Sequence, residues 1–353
     1  MNSFSFTIPQ NIVVGAGSLK RLPELAKNLK KSKAYIISGP HLEKIGMVDK
    51  CREALKAAGI ESDSFTQTEG NPSTDTVAKA AEGFKSSKAD FIVAFGGGSP
   101  LDVAKAVAVI ASYGGNITDY EGGGKVPGPV VPMIAIPTTA GTGSEVTAFS
   151  VITDHSRNYK LTVVSNYLLP AYAILDPELI TTVPKSTAAA CGIDAMVHAL
   201  EAFISKAASP FSDLFAKEAL RLIGTSIRDY VLDRSNLAAC EAMLTGSLFA
   251  GIAFSHARLG DVHAMSHPVS AYFDVAHGVA NAVLLPTIVD YNMTYASEKY
   301  KYIYDCICEK PLDDDSFTPE MLAAEIRVLN DELGIPSSLS EVGVDSSLFD
   351  KMA

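Results

Sequence analysis

The stretch "ADFIVAFGGGSPLDVAKAVAVIAS", Ala89 to Ser112, decides how the first half of the chain is read. Seven mostly apolar residues, a glycine triplet, and a longer run with helical periodicity follow one another without a break. A continuous apolar run bounded by glycine is the mark of a strand buried on both faces. The glycines permit positive φ and close backbone approach, and the helix is expected to start at Ser99 or Pro100. Proline is tolerated in a first turn because its missing N–H has no partner there. That helix start presents unpaired N–H groups and the positive end of its dipole, which suits a phosphate. Taken alone, the triplet also fits a tight strand-to-helix turn with no ligand, and it is not the GxGxxG fingerprint.

The same grammar extends to either side. "KAYIIS" (Lys33–Ser38) and "VVPMIAIPTT" (Val130–Thr139) are apolar strands, and "DSFTQ" (Asp63–Gln67) is a third. "VDKCREALKAAGI" is helical with Gly59 as its stop, and "STDTVAKAAEGFKSS" opens on a Ser/Thr/Asp cap. "FSFTIPQNIVVGAGSLKRL" predicts a strand pair ahead of the first crossover. Strands alternating with helices imply a parallel sheet covered on both faces. A second loop, "PTTAGTGSEVT" (Pro137–Thr147), crowds hydroxyls and glycines at a strand's carboxyl end. Open α/β sheets bind ligands there, so two such loops point to a dinucleotide.

Near "DPELITTVPK" the pattern changes, and helical periodicity dominates from Ser186 onward. In "TPEMLAAEIRVLNDELG", Thr318 is read as cap, Pro319 as first helical residue and Gly334 as stop. This divides the chain into an α/β domain, 1–184, with a Rossmann-like parallel sheet, and an all-α domain, 185–353.

Histidine is scarce, seven in 353 residues, yet His263, His267 and His277 fall within "VHAMSHPVSAYFDVAHGVANA". In "GIDAMVHALEAF", Asp194 and His198 stand four apart and share a helix face. The pair points away from the stripe of Ile193, Met196, Val197, Leu200, Phe203 and Ile204, with Glu201 on the pair's side. By itself such a pair is an exposed ion pair worth about 0.3–0.5 kcal/mol. With His263 and His277 it becomes one carboxylate and three imidazoles, enough to satisfy a divalent metal and leave a position for substrate. Nitrogen and oxygen donors without sulfur suit ferrous iron, zinc, cobalt or manganese. Gly278 suggests a turn or a close approach beside His277. His267, four after His263, should face the same place. His256 and His155 receive no role.

The composition is that of a globular protein, 47% hydrophobic and 20% charged. A net charge of −11 argues against nucleic acid or an anionic membrane as partner. No apolar run comes near bilayer-spanning length, and the N-terminus lacks the parts of a signal peptide. Five scattered cysteines read as reduced thiols, so a cytoplasmic location is expected.

Four blocks together carry a resemblance: "GGGSPLDVAKA", "PTTAGTGSEVT", "GIDAMVHALEAFIS" and "VHAMSHPVSAYFDVAHGVANAVLLP". In this order and spacing, along nearly the whole chain, they resemble the iron-containing (group III) alcohol dehydrogenase family. The resemblance implies a nucleotide-binding α/β domain joined to a helical metal domain, the dehydroquinate synthase-like architecture. It implies Asp194, His198, His263 and His277 as metal ligands, with Fe2+, Zn2+ or another divalent ion. His267 would be the histidine of the substrate and nicotinamide cleft and a candidate proton path. Gly96, Gly97, Gly98 and Ser99 would hold the pyrophosphate. Thr138, Thr139, Thr142 and Ser144 would line the nucleotide, with Asp102, Lys160 and Leu179 close to it. Phe149 and Phe254 would border the alcohol pocket.

The implied reaction is NAD- or NADP-linked hydride transfer to or from a small primary alcohol, diol or aldehyde, the metal polarising the oxygen. The implied assembly is a homodimer or higher homo-oligomer. Two departures stand out. Many NAD-preferring members place Asp where this chain has Gly39, and glycine removes the repulsion of a 2′-phosphate, leaving NAD and NADP both open. The chain also stops at "LFDKMA", before the last helices usual in the family. A zinc-dependent glycerol-dehydrogenase-like or dehydroquinate-synthase-like enzyme is the nearest rival. A metal-dependent hydrolase using the glycine loops for substrate phosphate, and a non-catalytic metal-binding protein, are the rivals from other classes.

Overall fold

A computed structural model describes residues 6–8 and 11–352. In chain order the elements of the first part are β1 (Asn11–Val14), α1 (Leu22–Asn28), β2 (Lys33–Ile37), α2 (Pro40–Lys44), α3 (Met47–Ala57), β3 (Glu61–Phe65), α4 (Thr74–Ser87), β4 (Phe91–Gly96), α5 (Gly98–Tyr113), β5 (Gly122–Gly123), β6 (Met133–Pro137), β7 (Phe149–Asp154), β8 (Tyr159–Val164) and β9 (Tyr172–Leu175). Then come α6 (Lys185–Ile204), α7 (Pro210–Leu232), α8 (Leu237–Ala257), α9 (Asp261–Phe273), α10 (His277–Ile307), α11 (Glu320–Leu333) and α12 (Phe349–Met352). The chain forms two compact units. One is α/β, residues 7–139 and 144–179; the other is helical, from Ile180 on with Phe6 and 140–143.

The α/β unit is built on a six-stranded parallel sheet in the order β1-β9-β6-β4-β2-β3. Its central strands β4 and β6 are buried at every position because both faces are covered, while the edge strands β1 and β3 carry exposed polar residues. On β4, Phe91, Val93 and Phe95 join a cluster with α1 and α3, while Ile92 and Ala94 join the opposite cluster with α4 and α5. β2 and β6 divide their residues in the same alternating way. Chain order reverses between β2 and β4, the switch point at which such sheets open a crevice beyond their carboxyl ends.

Several local expectations shift. α5 begins at Gly98 with Gly97 as cap, so Pro100 is its third residue. The third strand spans Glu61–Phe65, earlier than read. Only β1 of the expected N-terminal strand pair lies in the described part; residues 1–5 and 9–10 fall outside it. β1 pairs in parallel with β9. Pro319 serves as cap of α11 rather than its first residue, while Gly334 closes it in the left-handed conformation, as expected. The antiparallel hairpin β7–β8, joined by β5, sits outside the strand–helix rhythm, so periodicity does not announce it.

In the helical unit, α6 is buried almost all round, which explains its weak amphipathic stripe. Contrary to the expectation that nothing approaches spanning length, α6 and α8 are long and apolar enough to cross a bilayer. Both are largely buried inside the protein, and that burial accounts for their composition.

Candidate functional site

Three helices of the helical unit bring four donors together. α6 supplies Asp194 and His198, α9 supplies His263, and the first turn of α10 supplies His277. One ligand atom from each lies within 4.8 Å of all the others. Asp194 Oδ1 is 3.9 Å from His198 Nε2, 3.9 Å from His263 Nε2 and 3.7 Å from His277 Nε2. The Nε2 atoms of His198 and His263 are 3.0 Å apart. Donors each about 2.1 Å from one cation would span edges of this size. The pair on α6 is therefore not an exposed ion pair: both side chains are buried.

The outer nitrogens are held from behind. His263 Nδ1 donates to Glu201 Oε2 at 2.6 Å, and Glu201 Oε1 accepts the Val262 N–H at 2.7 Å. His198 Nδ1 faces the Gly141 carbonyl at 3.2 Å. Protons on Nδ1 leave the Nε2 lone pairs turned inward, the tautomer a metal ligand needs. Three lone pairs and a carboxylate facing one another repel unless a cation sits among them, so the donor set fits a divalent metal. Burial and the neighbouring His198 ring push His263 well below the usual imidazole range. Burial alone would raise Asp194, but the three rings and the Asn281 amide hold it below the usual carboxylate range.

Glu201 and Asn281 received no role from the sequence. Glu201 shares the face of Asp194 and His198, since positions 194, 198 and 201 fall one and two turns along α6. That spacing was the available signal. Asn281 is fully buried one turn after His277, and its Nδ2 donates to Asp194 Oδ1 at 2.6 Å. Replacing Glu201 by Gln keeps the volume but removes the charge that fixes the His263 tautomer. Metal affinity is expected to fall about 10–100-fold, measured by chelator competition; unaltered affinity would show that Glu201 does not orient the ligand.

Around these donors, Phe254 stacks on His198 with ring centroids 4.5 Å apart. His267 lies beside two of the rings, 5.9 Å from His263 and 5.4 Å from His277. His256 stacks on Phe6 at 4.2 Å, a packing role, and His155 is exposed in the β7–β8 turn.

In the α/β unit, Gly39, Gly96–Gly98 and Thr138–Thr139 fall at the carboxyl ends of three neighbouring strands, β2, β4 and β6. Gly96 has φ +155°, and a Cβ on Gly97 would lie 3.2 Å from Thr139 Oγ1, so this turn is tight against the next loop. The Thr138 N–H donates to the Gly96 carbonyl at 2.9 Å. Ser144 Oγ donates to Asp102 Oδ1 at 2.7 Å, and Lys160 Nζ donates to Asn71 Oδ1 at 2.6 Å. Leu179 is buried in the core against the sheet, Phe149 opens β7 half-buried, and Thr142 belongs to the 140–143 segment of the helical unit.

Comparison with known proteins agrees along the whole length. The profile described as iron-containing alcohol dehydrogenase matches residues 9–177, and its C-terminal counterpart matches 188–353. The NAD-dependent methanol dehydrogenase of Bacillus methanolicus is 35% identical over 341 residues, 96% of this chain and 90% of that protein. The 1,3-propanediol dehydrogenase of Klebsiella pneumoniae is 38% identical, covering 99% of this chain and 91% of its own. The alcohol dehydrogenase structure from Oenococcus oeni superposes with a TM-score of 0.95 at 32% identity, covering 99% of this chain and 92% of that one.

Proposed function

Because the chain belongs to the iron-containing alcohol dehydrogenase family, we propose that Asp194, His198, His263 and His277 hold its divalent cation, with ferrous iron the first candidate. The chain is thus a metal-dependent, nicotinamide-linked alcohol dehydrogenase. The observation that carries the ligand assignment is the set of four donors, three of them buried, within 4.8 Å of one another. When bound, the cation supplies Lewis acidity toward an alcohol or carbonyl oxygen and the nicotinamide supplies or takes the hydride.

The chain's own residues prepare for this. Glu201 and the Gly141 carbonyl fix the ligand tautomers. Phe254, stacked on His198, excludes water beside the ligands and favours a small aliphatic substrate. His267, half-buried beside the rings of His263 and His277, carries the alcohol proton outward. The N–H groups opening α5 after Gly96–Gly98 receive the pyrophosphate, and Thr138 and Thr139 border it. The substrates are small primary alcohols, diols and their aldehydes. Five cysteines outside any disulfide support work in the reducing cytoplasm. β1 at the sheet edge supports a homodimer formed through that strand.

The deciding assay follows nicotinamide oxidation with NADH and NADPH against a panel of small aldehydes, after anaerobic loading with ferrous iron or, separately, zinc. Turnover in at least one metal–cofactor combination is expected; none in any combination would overturn the reading. Gly39 carries no carboxylate beyond β2, so NADP(H) is accepted as well as NAD(H). Gly39 has φ −100° and ψ 160°, open to any residue, and its Cβ position is 3.3 Å from the Thr68 carbonyl. G39D is therefore expected to fold and to cut kcat/KM for NADPH by about tenfold or more while sparing NADH. An unchanged NADPH-to-NADH ratio would show that position 39 does not read the ribose.

A further inference from the structure

The helix that carries His277 contains a proline, and a side chain on another helix supplies the bond that the proline cannot make. Pro286 lies buried inside α10. It has no N–H, and its ring crowds the carbonyl four residues back, so the ladder of α10 lacks the bond onto the Ala282 oxygen. Asn330 of α11 supplies a donor there: its Nδ2 donates to the Ala282 carbonyl at 2.8 Å, away from solvent. Asn330 is 7% exposed, and among the described residues its Oδ1 has no partner. The chemistry fixes the amide's orientation, since only the NH2 end can bond a carbonyl. A leucine would fill the same space without burying an unpaired oxygen, so what the asparagine contributes is its donor.

One turn earlier on α11, Arg327 pairs with Asp290 of α10 at 2.5 Å. Two neighbouring side chains of α11 thus hold α10 at residues 282 and 290, on either side of the proline. The part of α10 ahead of Pro286 is the part that meets the ligand set. It carries His277, a donor, and Gly278, pressed against the Ala190 carbonyl. It also carries Asn281, whose Nδ2 donates to Asp194 Oδ1 at 2.6 Å, and Ala282 is the next residue. A helix changes direction most readily at a proline, where its own ladder no longer ties one turn to the next. At that point in α10 the tie comes from Asn330.

We propose that Asn330 is a positioning residue of the metal centre: by holding the Ala282 carbonyl beside Pro286, it sets the direction in which the first two turns of α10 present His277 and Asn281 to the other donors. This rests on the ligand reading above. Asn330 acts through the Ala282 carbonyl and the backbone of α10.

The test compares the parent protein with N330L and with N330L placed in a Pro286→Ala background. Affinity for Zn2+ and, anaerobically, for Fe2+ is measured by chelator competition, and the Tm of the metal-free protein is measured beside it. N330L removes the donor with little change of volume and is expected to raise the metal Kd about tenfold or more, as misplaced ligands do. A merely structural role would lower Tm and leave the metal Kd at the parent value. P286A returns an N–H to α10, so the Ala282 carbonyl no longer depends on Asn330. In that background N330L should change the metal Kd by less than about threefold relative to P286A alone, a non-additivity that ties the effect to this one carbonyl. A parent-like metal Kd in folded N330L overturns the proposal, as does the same loss in both backgrounds. If N330L does not fold, Asn330→Ser, whose hydroxyl is too short to reach, decides: a raised metal Kd supports the proposal and an unchanged one overturns it. A parent protein that binds neither ion overturns the ligand reading itself, and this proposal with it.

Discussion

Replacing His263 by alanine is expected to remove the metal and the activity together. The ring is one of four inward donors, and its Nδ1 is the partner of a buried carboxylate, Glu201. Its loss opens the ligand set and leaves that carboxylate without its imidazole, so Tm should drop as well as metal affinity. Turnover is expected to fall at least about 1,000-fold, because the Lewis acid supplies several kcal/mol of stabilisation to the reacting oxygen. His277→Ala gives the cleaner comparison. Its side chain is 28% exposed and it opens α10, so its removal takes a ligand with less disturbance of the core. Metal content by elemental analysis and kcat with each reconstituting metal check both variants. A chelator should lower the Tm of the parent but not of either variant, since only a protein that binds the ion is stabilised by it. Substantial turnover by metal-free H263A or H277A would sink the assignment of these residues.

Gly278→Ala should be nearly as damaging, although one methyl is all it adds. A Cβ there would lie 2.5 Å from the Ala190 carbonyl oxygen and 2.8 Å from its carbon. Both are backbone atoms of α6, which cannot rotate away as a side chain could. The first turn of α10 must retreat, and it carries His277. Asp194 sits one turn beyond Ala190 on the other helix, so the strain opens the 3.7 Å separation between these two donors. Overpacking of this kind costs about 1–3 kcal/mol. For a unit of this size that is a Tm drop of roughly 3–10 °C. Metal affinity should fall by about tenfold or more, since ligand placement is sensitive to small shifts. Calorimetry and chelator competition test it. Parent-like values in both would mean that the helices yield without cost, and the close approach would carry no function.

Much of this was legible in the sequence because local physics writes it there. A strand covered on both faces must be apolar throughout, so β2, β4 and β6 announced themselves. Glycines between strand and helix marked the turn before α5, and Gly278 marked a close approach that Ala190 supplies. Asp194 and His198 share a face through the helical repeat alone. The β7–β8 hairpin was not legible, since a six-residue strand of mixed polarity resembles a loop until its partner is known. Nor was the burial of α6 on every side, because Asp194, His198 and Glu201 dress one face as though it met water.

By itself, then, the order of residues determined the parallel α/β unit, the change to helices near Pro184, and which side chains could serve as metal donors. Tertiary structure alone decided what stands behind them. Glu201 meets His263 across 62 positions, and Asn330 meets Ala282 across 48. Backbone periodicity reaches only a turn or two along the chain. A buried charge is stabilised by whichever partner the folded chain carries to it, and local spacing holds no record of that meeting.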